Sequence, residues 1–199
     1  MTGLNHPHSP NADETPAEGQ AGPPPRCIVL VGLMGAGKSC IGKRLADAIG
    51  WDFVDADSEI EKAAGCSIAD IFERHGEAAF RDGERRVIQR LLEQGPSVIA
   101  TGGGAFMNSE TRDAIRANGV SVWLRADLEI LLRRTGRRDH RPLLRKGNPR
   151  ETLGRLMAER YPVYAEADVV VESIERPAEE TTQQVIQALR AHGVDIDAG

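Results

Sequence analysis

One eight-residue segment has the residue types and spacing of a phosphate-binding loop. Residues 32–39 read Gly-Leu-Met-Gly-Ala-Gly-Lys-Ser, which is glycine, four residues, glycine, lysine and serine. Glycines let successive backbone N–H groups curl round the β-phosphate of a nucleotide, and a helix that starts at the loop adds its dipole. In this pattern Lys38 reaches the β- and γ-phosphate oxygens, and the Ser39 hydroxyl is a ligand of Mg²⁺. The segment therefore predicts nucleotide binding.

Two acids follow a short apolar segment further along the chain. Asp55 and Asp57 come directly after residues 53–54, which read Phe-Val and predict the end of a strand. Phosphoryl transfer needs one acid near the metal and another beside the attacking hydroxyl. The alternation does not decide which acid has which role, and capping of a helix is the alternative for either one.

Three consecutive glycines follow another apolar segment. Gly102, Gly103 and Gly104 come after residues 97–100, which read Ser-Val-Ile-Ala. Their backbone amides are suited to an anion or a substrate at a place where side chains would block the approach. A plain tight turn is the alternative, although it does not need three glycines.

Strands and helices alternate along the chain and would position these groups. The unbroken apolar run Cys27–Val31 predicts a central strand, and Lys38–Ile49 has apolar residues at helical spacing. About five such strands predict a parallel sheet with helices on both faces, because parallel neighbours need crossover connections. We expect an α/β domain of three layers, with ligands beyond the carboxyl ends of the strands. The predicted strands are 27–31, 53–54, 97–100, 120–124 and 168–171, and the predicted helices are 38–49, 58–64, one from residue 67, 77–93, 111–117, 128–134, 149–161 and 178–192.

Length and composition set the limits of the domain and exclude several classes. The chain has 199 residues, which suits a single domain. Residues 1–25 are rich in Pro and Gly without an apolar period, so we expect a disordered extension, a domain over 26–193 and a tail over 194–199. The net charge of −5 argues against a nucleic-acid partner. No apolar run is long enough to cross a membrane or to form a secretory signal, so we expect a cytoplasmic protein.

The three cysteines, Cys27, Cys40 and Cys66, fit this location. Their odd number and their spacing match neither a disulfide framework nor a metal site. A reducing compartment is therefore expected, with the cysteines as small core residues.

Two large classes of P-loop protein lack support. A guanine-nucleotide switch needs a base-reading Asn/Thr-Lys-x-Asp stretch, and no lysine here is followed two residues later by Asp. Motor and transporter ATPases have a metal-binding acid at the end of a buried strand, whereas residues 97–100 run into Thr101 and the three glycines. An acid at the end of the second strand is typical of small kinases.

At this point the sequence closely resembles shikimate kinase. The resemblance covers residues 26–190, almost the whole expected domain. Its motifs are 32–39, 55–57, 67–72, 76–77 with 80–81, 102–105, 133–136, 141–144, and Arg160 before Tyr164. The resemblance implies transfer of the ATP γ-phosphoryl group to the 3-hydroxyl of shikimate, on the way to chorismate and the aromatic amino acids. It also implies a fold like that of nucleoside monophosphate kinases, with a substrate-binding region near 55–84 and a mobile lid near 136–149.

The resemblance also assigns roles to individual residues. Asp57 matches the aspartate that holds the substrate hydroxyls and accepts a proton, and Asp55 matches one near Mg²⁺. Arg81 and Arg160 match the residues that grip the shikimate carboxylate, and Arg141 matches the lid arginine. The residues implied to contact the nucleotide are Gly35, Ala36, Gly37, Lys38, Ser39, Cys40, Arg134, which stacks on adenine, and Arg141. The residues implied to contact shikimate are Asp57, Arg81, Gly102, Gly103, Gly104 and Arg160.

Two further residues support the resemblance, and two others depart from the family pattern. Glu84 is placed one turn after Arg81 to orient arginine side chains, and Phe80 matches a wall of the pocket. Cys40 stands where the family more often has Thr, and Gly83 interrupts a helix at a cost of about 1 kcal/mol. We expect a monomer that uses ATP and Mg²⁺. The alternatives are another small-molecule kinase, for gluconate or a nucleoside monophosphate, and an ATP-binding domain without catalysis.

Overall fold

The structure is a computed structural model that describes residues 27–136 and 148–196. The expected N-terminal extension, Arg141 and nearly all of the expected lid lie outside the described residues. The five strands are β1 (Cys27–Val31), β2 (Asp52–Asp55), β3 (Ser97–Ala100), β4 (Gly119–Arg125) and β5 (Val169–Glu172). The helices within the described ranges are α1 (Lys38–Ile49), α2 (Ala56–Ala64), α3 (Ile68–Glu93), α4 (Ser109–Asn118), α5 (Leu128–Gly136), α6 (Pro149–Tyr164) and α7 (Ala178–Ala191), with a 3₁₀ turn at Ala105–Met107.

The strands form one parallel sheet in the order β2-β3-β1-β4-β5. Every residue of the central strand β1 is fully buried, as its unbroken apolar run predicts. On one face α1 packs against α7, and on the other α3 packs against α4 and α5 against α6. The expected three-layer α/β fold is therefore confirmed.

The register of the sheet brings three strand ends to one level. Ala100 of β3 lies opposite Leu30 of β1 and opposite Asp55 of β2. Thr101 extends this pairing, since its backbone N–H and its hydroxyl both donate to the Leu30 carbonyl oxygen, at 3.2 and 3.0 Å. The loops that leave β1, β2 and β3 consequently meet at the same edge.

Helix α3 joins two segments that the sequence predicts as separate helices. Ser67 caps it as expected, because its hydroxyl oxygen accepts a hydrogen bond from the Asp70 N–H at 3.1 Å. The predicted start of a second helix near Glu77 is confirmed, because two helical segments meet at a kink where Gly76 has non-helical angles, with φ of 77° and ψ of 177°. Glycine alone adopts this backbone conformation readily.

Two further expectations need correction. The predicted tail does not begin at residue 194, because Val194 and Ile196 are buried in the core and the packed domain continues to Ile196. Of the cysteines, Cys27 is buried as expected, but Cys66 is half-buried and Cys40 is exposed. Cys40 lies in the first turn of α1, on the side that faces away from the sheet. Within residues 27–136 and 148–196, no helix has both the length and the apolar composition needed to cross a bilayer.

Replacing Gly76 with alanine is expected to lower the free energy of unfolding by about 1–3 kcal/mol, because a residue with a Cβ is strained in this conformation. Gly83→Ala is the matched control, since Gly83 lies in the regular part of α3 and an added Cβ would meet nothing within 4 Å. The control should gain about 0.5–1 kcal/mol. Chemical denaturation measures both variants, and an equal gain in both would contradict a strained backbone at Gly76.

Candidate active site

A cavity of about 890 Å³ opens at the carboxyl ends of β1, β2 and β3. It brings together nearly all of the predicted site residues that the structure describes. The predicted residues that line it are Gly35, Gly37, Lys38, Ser39, Cys40, Asp55, Asp57, Arg81, Gly102, Gly103, Gly104, Arg134 and Arg160. Ala36 does not line it, because its side chain is buried in the core.

The phosphate-binding loop occupies one end of the cavity. It turns through a hydrogen bond from the Ala36 N–H to the Leu33 carbonyl oxygen, at 3.1 Å, and α1 starts directly after it. The Lys38 ammonium donates to the carbonyl oxygens of Gly32 and Leu33, at 2.7 and 3.1 Å. Loop amides, a helix N-terminus and a lysine thus converge on one point, which is the arrangement that binds a polyphosphate.

Ser39, at the end of this loop, lies beside Asp55, at the end of β2. The Ser39 hydroxyl donates to Asp55 Oδ2 at 2.9 Å, while Asp55 Oδ1 caps α2 by accepting from the N–H groups of Asp57 and Ser58, at 3.1 and 3.4 Å. Asp55 can therefore cap the helix and lie near the metal at the same time, because each role uses a different carboxylate oxygen. Within the described ranges no three His, Cys, Asp or Glu side chains form a metal cluster. A hydroxyl and one carboxylate fit Mg²⁺, which takes its remaining ligands from phosphates and water.

Asp57 lines the same cavity and lies in the first turn of α2, two residues after Asp55. Burial and the nearby Asp55 carboxylate raise the pKa of Asp57, and Lys38 and Arg81 oppose the shift. A raised pKa makes a carboxylate a stronger proton acceptor. Asp57 is therefore suited to take a proton from a hydroxyl bound beside it.

Arg81 and Glu84 form an ion pair on the wall formed by α3. Arg81 Nη1 donates to Glu84 Oε2 at 2.7 Å, as the spacing of three residues predicts, and Nη2 donates to Glu77 at 3.3 Å. Glu84 is only 3% exposed, and its burial raises its pKa against the opposing effect of Arg81. The guanidinium also lies over the Phe80 ring, 5.0 Å from its centroid.

The glycine triplet also lines the cavity, and charged side chains lie close to the backbone of Gly102 and Gly104. A Cβ on Gly102 would lie 2.8 Å from Asp57 Oδ1 and 2.9 Å from Glu84 Oε1. A Cβ on Gly104 would lie 2.5 Å from the Arg81 guanidinium nitrogens. These charged groups therefore reach the cavity only because the wall is bare backbone.

Arg134 ties the phosphate-binding loop to the segment after β5. Its Nη1 donates to Ser173 Oγ and its Nη2 to the Ile174 carbonyl oxygen, both at 2.8 Å. Ser173 in turn donates to the Ala36 carbonyl oxygen at 2.7 Å. The predicted stacking of Arg134 on adenine stays a prediction, and the structure adds a bridging position for it at the rim of the cavity.

Sequence reasoning missed several residues that line the cavity. They share no residue type, and five of the eight lie at the start of α3, just before α7 or in its first turn. They are Met34, Ile41, Glu61, Ile68, Ala69, Arg176, Ala178 and Thr181. Only their position at the carboxyl edge of the sheet could have pointed to them.

A phosphate-binding loop and an acid suited to accept a proton share one cavity, and this defines the chain as a P-loop kinase for a small acceptor. The shikimate kinase family model matches residues 34–190. Shikimate kinase of Paramagnetospirillum magneticum is 63% identical over 164 residues, which are 82% of this chain and 84% of that protein. The chain belongs to the shikimate kinase family.

Solved structures agree with this membership. Shikimate kinase from Acinetobacter baumannii in complex with shikimate has a TM-score of 0.81 and 37% identity, and the match covers 85% of this chain and 96% of that one. A gluconokinase from Sinorhizobium meliloti shares the fold at a TM-score of 0.53 with 21% identity, and the match covers 84% of this chain and 93% of that one. The second likeness extends to the fold alone.

ATP is expected to slow alkylation of Cys40, because this exposed thiol lines the phosphate end of the cavity. The rate should fall roughly tenfold when ATP is present at about ten times its Kd, since only unbound protein reacts. Peptide mass spectrometry after maleimide treatment gives the rate at each cysteine. Cys66 does not line the cavity and is the internal control. Equal rates at Cys40 with and without ATP would place the nucleotide elsewhere.

Proposed function

We propose that this chain transfers the γ-phosphoryl group of ATP to the 3-hydroxyl of shikimate, giving shikimate 3-phosphate and ADP in the synthesis of chorismate and aromatic amino acids. The observation that carries this function is the single cavity at the carboxyl edge of the sheet. It holds the groups that bind a polyphosphate at one end and the groups that bind a hydroxylated carboxylic acid at the other.

At the phosphate end, the loop amides and the α1 N-terminus hold the β-phosphate, and Lys38 contacts the β- and γ-phosphate oxygens. Ser39 and Asp55, whose Oγ and Oδ2 atoms are 2.9 Å apart, would hold Mg²⁺ together with the phosphates, Asp55 directly or through water. The ion supplies neutralisation of the negative charge on the phosphates. Arg134 and Cys40 lie at the nucleotide end, with Arg134 against the base.

At the acceptor end, Asp57 binds the substrate hydroxyls and acts as the base. The 3-hydroxyl oxygen forms a bond to the γ-phosphorus as the bond from that phosphorus to the leaving oxygen of ADP breaks. The hydroxyl proton passes to the Asp57 carboxylate, whose pKa is raised by burial and by Asp55.

Two arginines hold the shikimate carboxylate. Arg81 and Arg160 both lie against the glycine triplet, since a Cβ on Gly104 would touch Arg81 and a Cβ on Gly103 would lie 3.5 Å from Arg160 Nη1. Each arginine keeps N–H groups beyond those bound to protein, so a bidentate contact with a carboxylate stays available.

Three further assignments complete the proposed function. The first concerns Arg141, which lies outside the described residues, and the other two concern the oligomeric state and the location in the cell. Arg141, in the segment 136–149, closes over the nucleotide as part of a lid and neutralises charge on the transferring phosphoryl group. The chain works as a monomer. It acts in the cytoplasm, where ATP is available.

An assay of ADP release tests the function against its alternatives. Purified protein with ATP and Mg²⁺ receives shikimate, gluconate or AMP in parallel, and the product is identified by mass spectrometry. We expect turnover with shikimate and none with gluconate or AMP. Turnover with gluconate or AMP would indicate another small-molecule kinase, and ATP binding without any turnover would indicate a non-catalytic domain.

Asp57→Asn is expected to lower kcat by ~10²–10⁴-fold, because it removes the positioned base while the Kd for ATP changes little. Steady-state kinetics and calorimetric ATP titration measure the two quantities. Asp52→Asn is the control, since Asp52 is an exposed acid at the start of β2 outside the cavity. Near-normal turnover in the Asp57 variant would move the base role to another group, with Asp55 as the next candidate.

Arg81→Lys is expected to raise the KM for shikimate roughly ten- to a hundredfold, because lysine keeps the charge but loses the planar fork. The KM for ATP should hardly change. Arg85→Lys in the same helix is the control, since Arg85 pairs with Asp82 and Glu110 outside this cavity. An unchanged KM for shikimate would leave Arg160 as the candidate for the carboxylate, and an equal loss for both substrates would indicate a structural role for Arg81.

A further inference from the structure

The Gly103 carbonyl oxygen accepts hydrogen bonds from two side chains of α6. Arg160 Nη1 donates to it at 2.8 Å, and the Tyr164 hydroxyl, one turn later in the helix, donates to it as well. Tyr164 is completely buried, whereas Arg160 lines the cavity. The Tyr164 hydroxyl therefore reaches the Gly103 carbonyl oxygen from the buried interior, whereas Arg160 reaches the same oxygen from the cavity.

This contact fixes the orientation of a peptide group in the wall of the cavity. In a trans peptide the carbonyl oxygen of Gly103 and the N–H of Gly104 point in opposite directions. Holding the oxygen toward α6 therefore holds the N–H away from α6. Among the described residues, no hydrogen bond from the N–H of Gly102, Gly103 or Gly104 to protein is present. These donors are available to a ligand, and their direction depends on what holds the peptide groups.

We propose that Tyr164 is a positioning residue for the acceptor substrate: its hydroxyl holds the Gly103–Gly104 peptide in the orientation that presents the glycine N–H groups to shikimate. This assignment rests on the proposed function, since it concerns the same cavity. Tyr164 itself does not line the cavity and acts only through the glycine backbone.

The Tyr164 hydroxyl is suited to this role because it stays a donor. Burial raises its pKa to about 12, so it keeps its proton throughout the neutral range. Its ring is enclosed by Phe106, Trp123 and Tyr161, with centroid distances of 6.4, 5.9 and 6.1 Å. A fully packed ring leaves the hydroxyl little freedom to move away from Gly103.

The same helix provides a matched control. Tyr161 also donates to a backbone carbonyl oxygen, that of Ala126 at 2.5 Å, and burial raises its pKa to about 12 as well. Neither Tyr161 nor Ala126 lines the cavity. Tyr→Phe at either position removes one hydroxyl and one hydrogen bond, but only at position 164 does the carbonyl belong to the substrate wall.

The experiment compares wild type, Tyr164→Phe and Tyr161→Phe by steady-state kinetics, shikimate calorimetry and thermal unfolding. We expect Tyr164→Phe to raise the KM and Kd for shikimate roughly two- to tenfold, the effect of one neutral hydrogen bond, because Arg160 still holds the carbonyl. The KM for ATP and kcat should stay within about twofold. Tyr161→Phe should lower the melting temperature but leave the KM for shikimate unchanged.

Other outcomes overturn the assignment. If both variants lose only thermal stability, Tyr164 has a structural role, and if both raise the KM for shikimate equally, the effect belongs to α6 as a whole. A Tyr164→Phe protein that fails to fold, beside a folded Tyr161→Phe protein, would also assign the hydroxyl to stability. Wild-type protein that releases no ADP with shikimate overturns the proposed function as well, whereas an active wild type with an unaffected variant overturns the positioning role alone.

Discussion

The parallel register of β1, β2 and β3 is the constraint on which the cavity depends. Leu30, Ala100 and Asp55 lie at one level across the three strands, so the chain leaves all three strands at the same edge. This register alone places three groups next to one another: the phosphate-binding loop, Asp55 beside Ser39, and the glycine triplet. A slip of the β2 register would move Asp55 away from Ser39, although both loops would keep their local shape.

The charged side chains at the acceptor end of the cavity are stabilised by ion pairs rather than by exposure to water. Glu84 is buried, and its ion pair with Arg81 offsets the desolvation that raises its pKa. The nearby Asp57 carboxylate also raises the pKa of Glu84. The arginines beside the glycine triplet compensate this repulsion. Replacing Asp57, Glu84 or Arg81 therefore changes the electrostatic environment of the others, so these residues act together.

Local signals predicted most of the fold and the location of the site residues. Apolar runs predicted all five strands, and the glycine-rich loop after β1 predicted the phosphate end. The pairing of Arg81 with Glu84 followed from helical spacing, and the proximity of Ser39 to Asp55 followed from the meeting of parallel strand ends.

Contacts between distant residues had no such signal. Tyr164 and Gly103 are 61 residues apart, and no periodic pattern connects a helix residue to a loop carbonyl. The burial of Ile196 depends on the packing of the last few residues against the core, which composition near a chain end does not reveal. The break at Gly76 did have a local signal, because this glycine stands between two separately periodic segments and marks the point where one helical segment ends and the next begins.

The bare backbone of the glycine wall limits how this pocket can evolve. A family that changes its acceptor normally does so by exchanging side chains around the ligand, but a side chain at Gly102 or Gly104 would displace the charged ends of Asp57, Glu84 or Arg81. New selectivity must instead arise on the first half of α3, where Ile68, Ala69 and Phe72 line the cavity on the far side of the Gly76 kink. The cavity thus has one side, at the start of α3, where side chains can change, and another side, at the glycine triplet, where the backbone itself serves phosphoryl transfer.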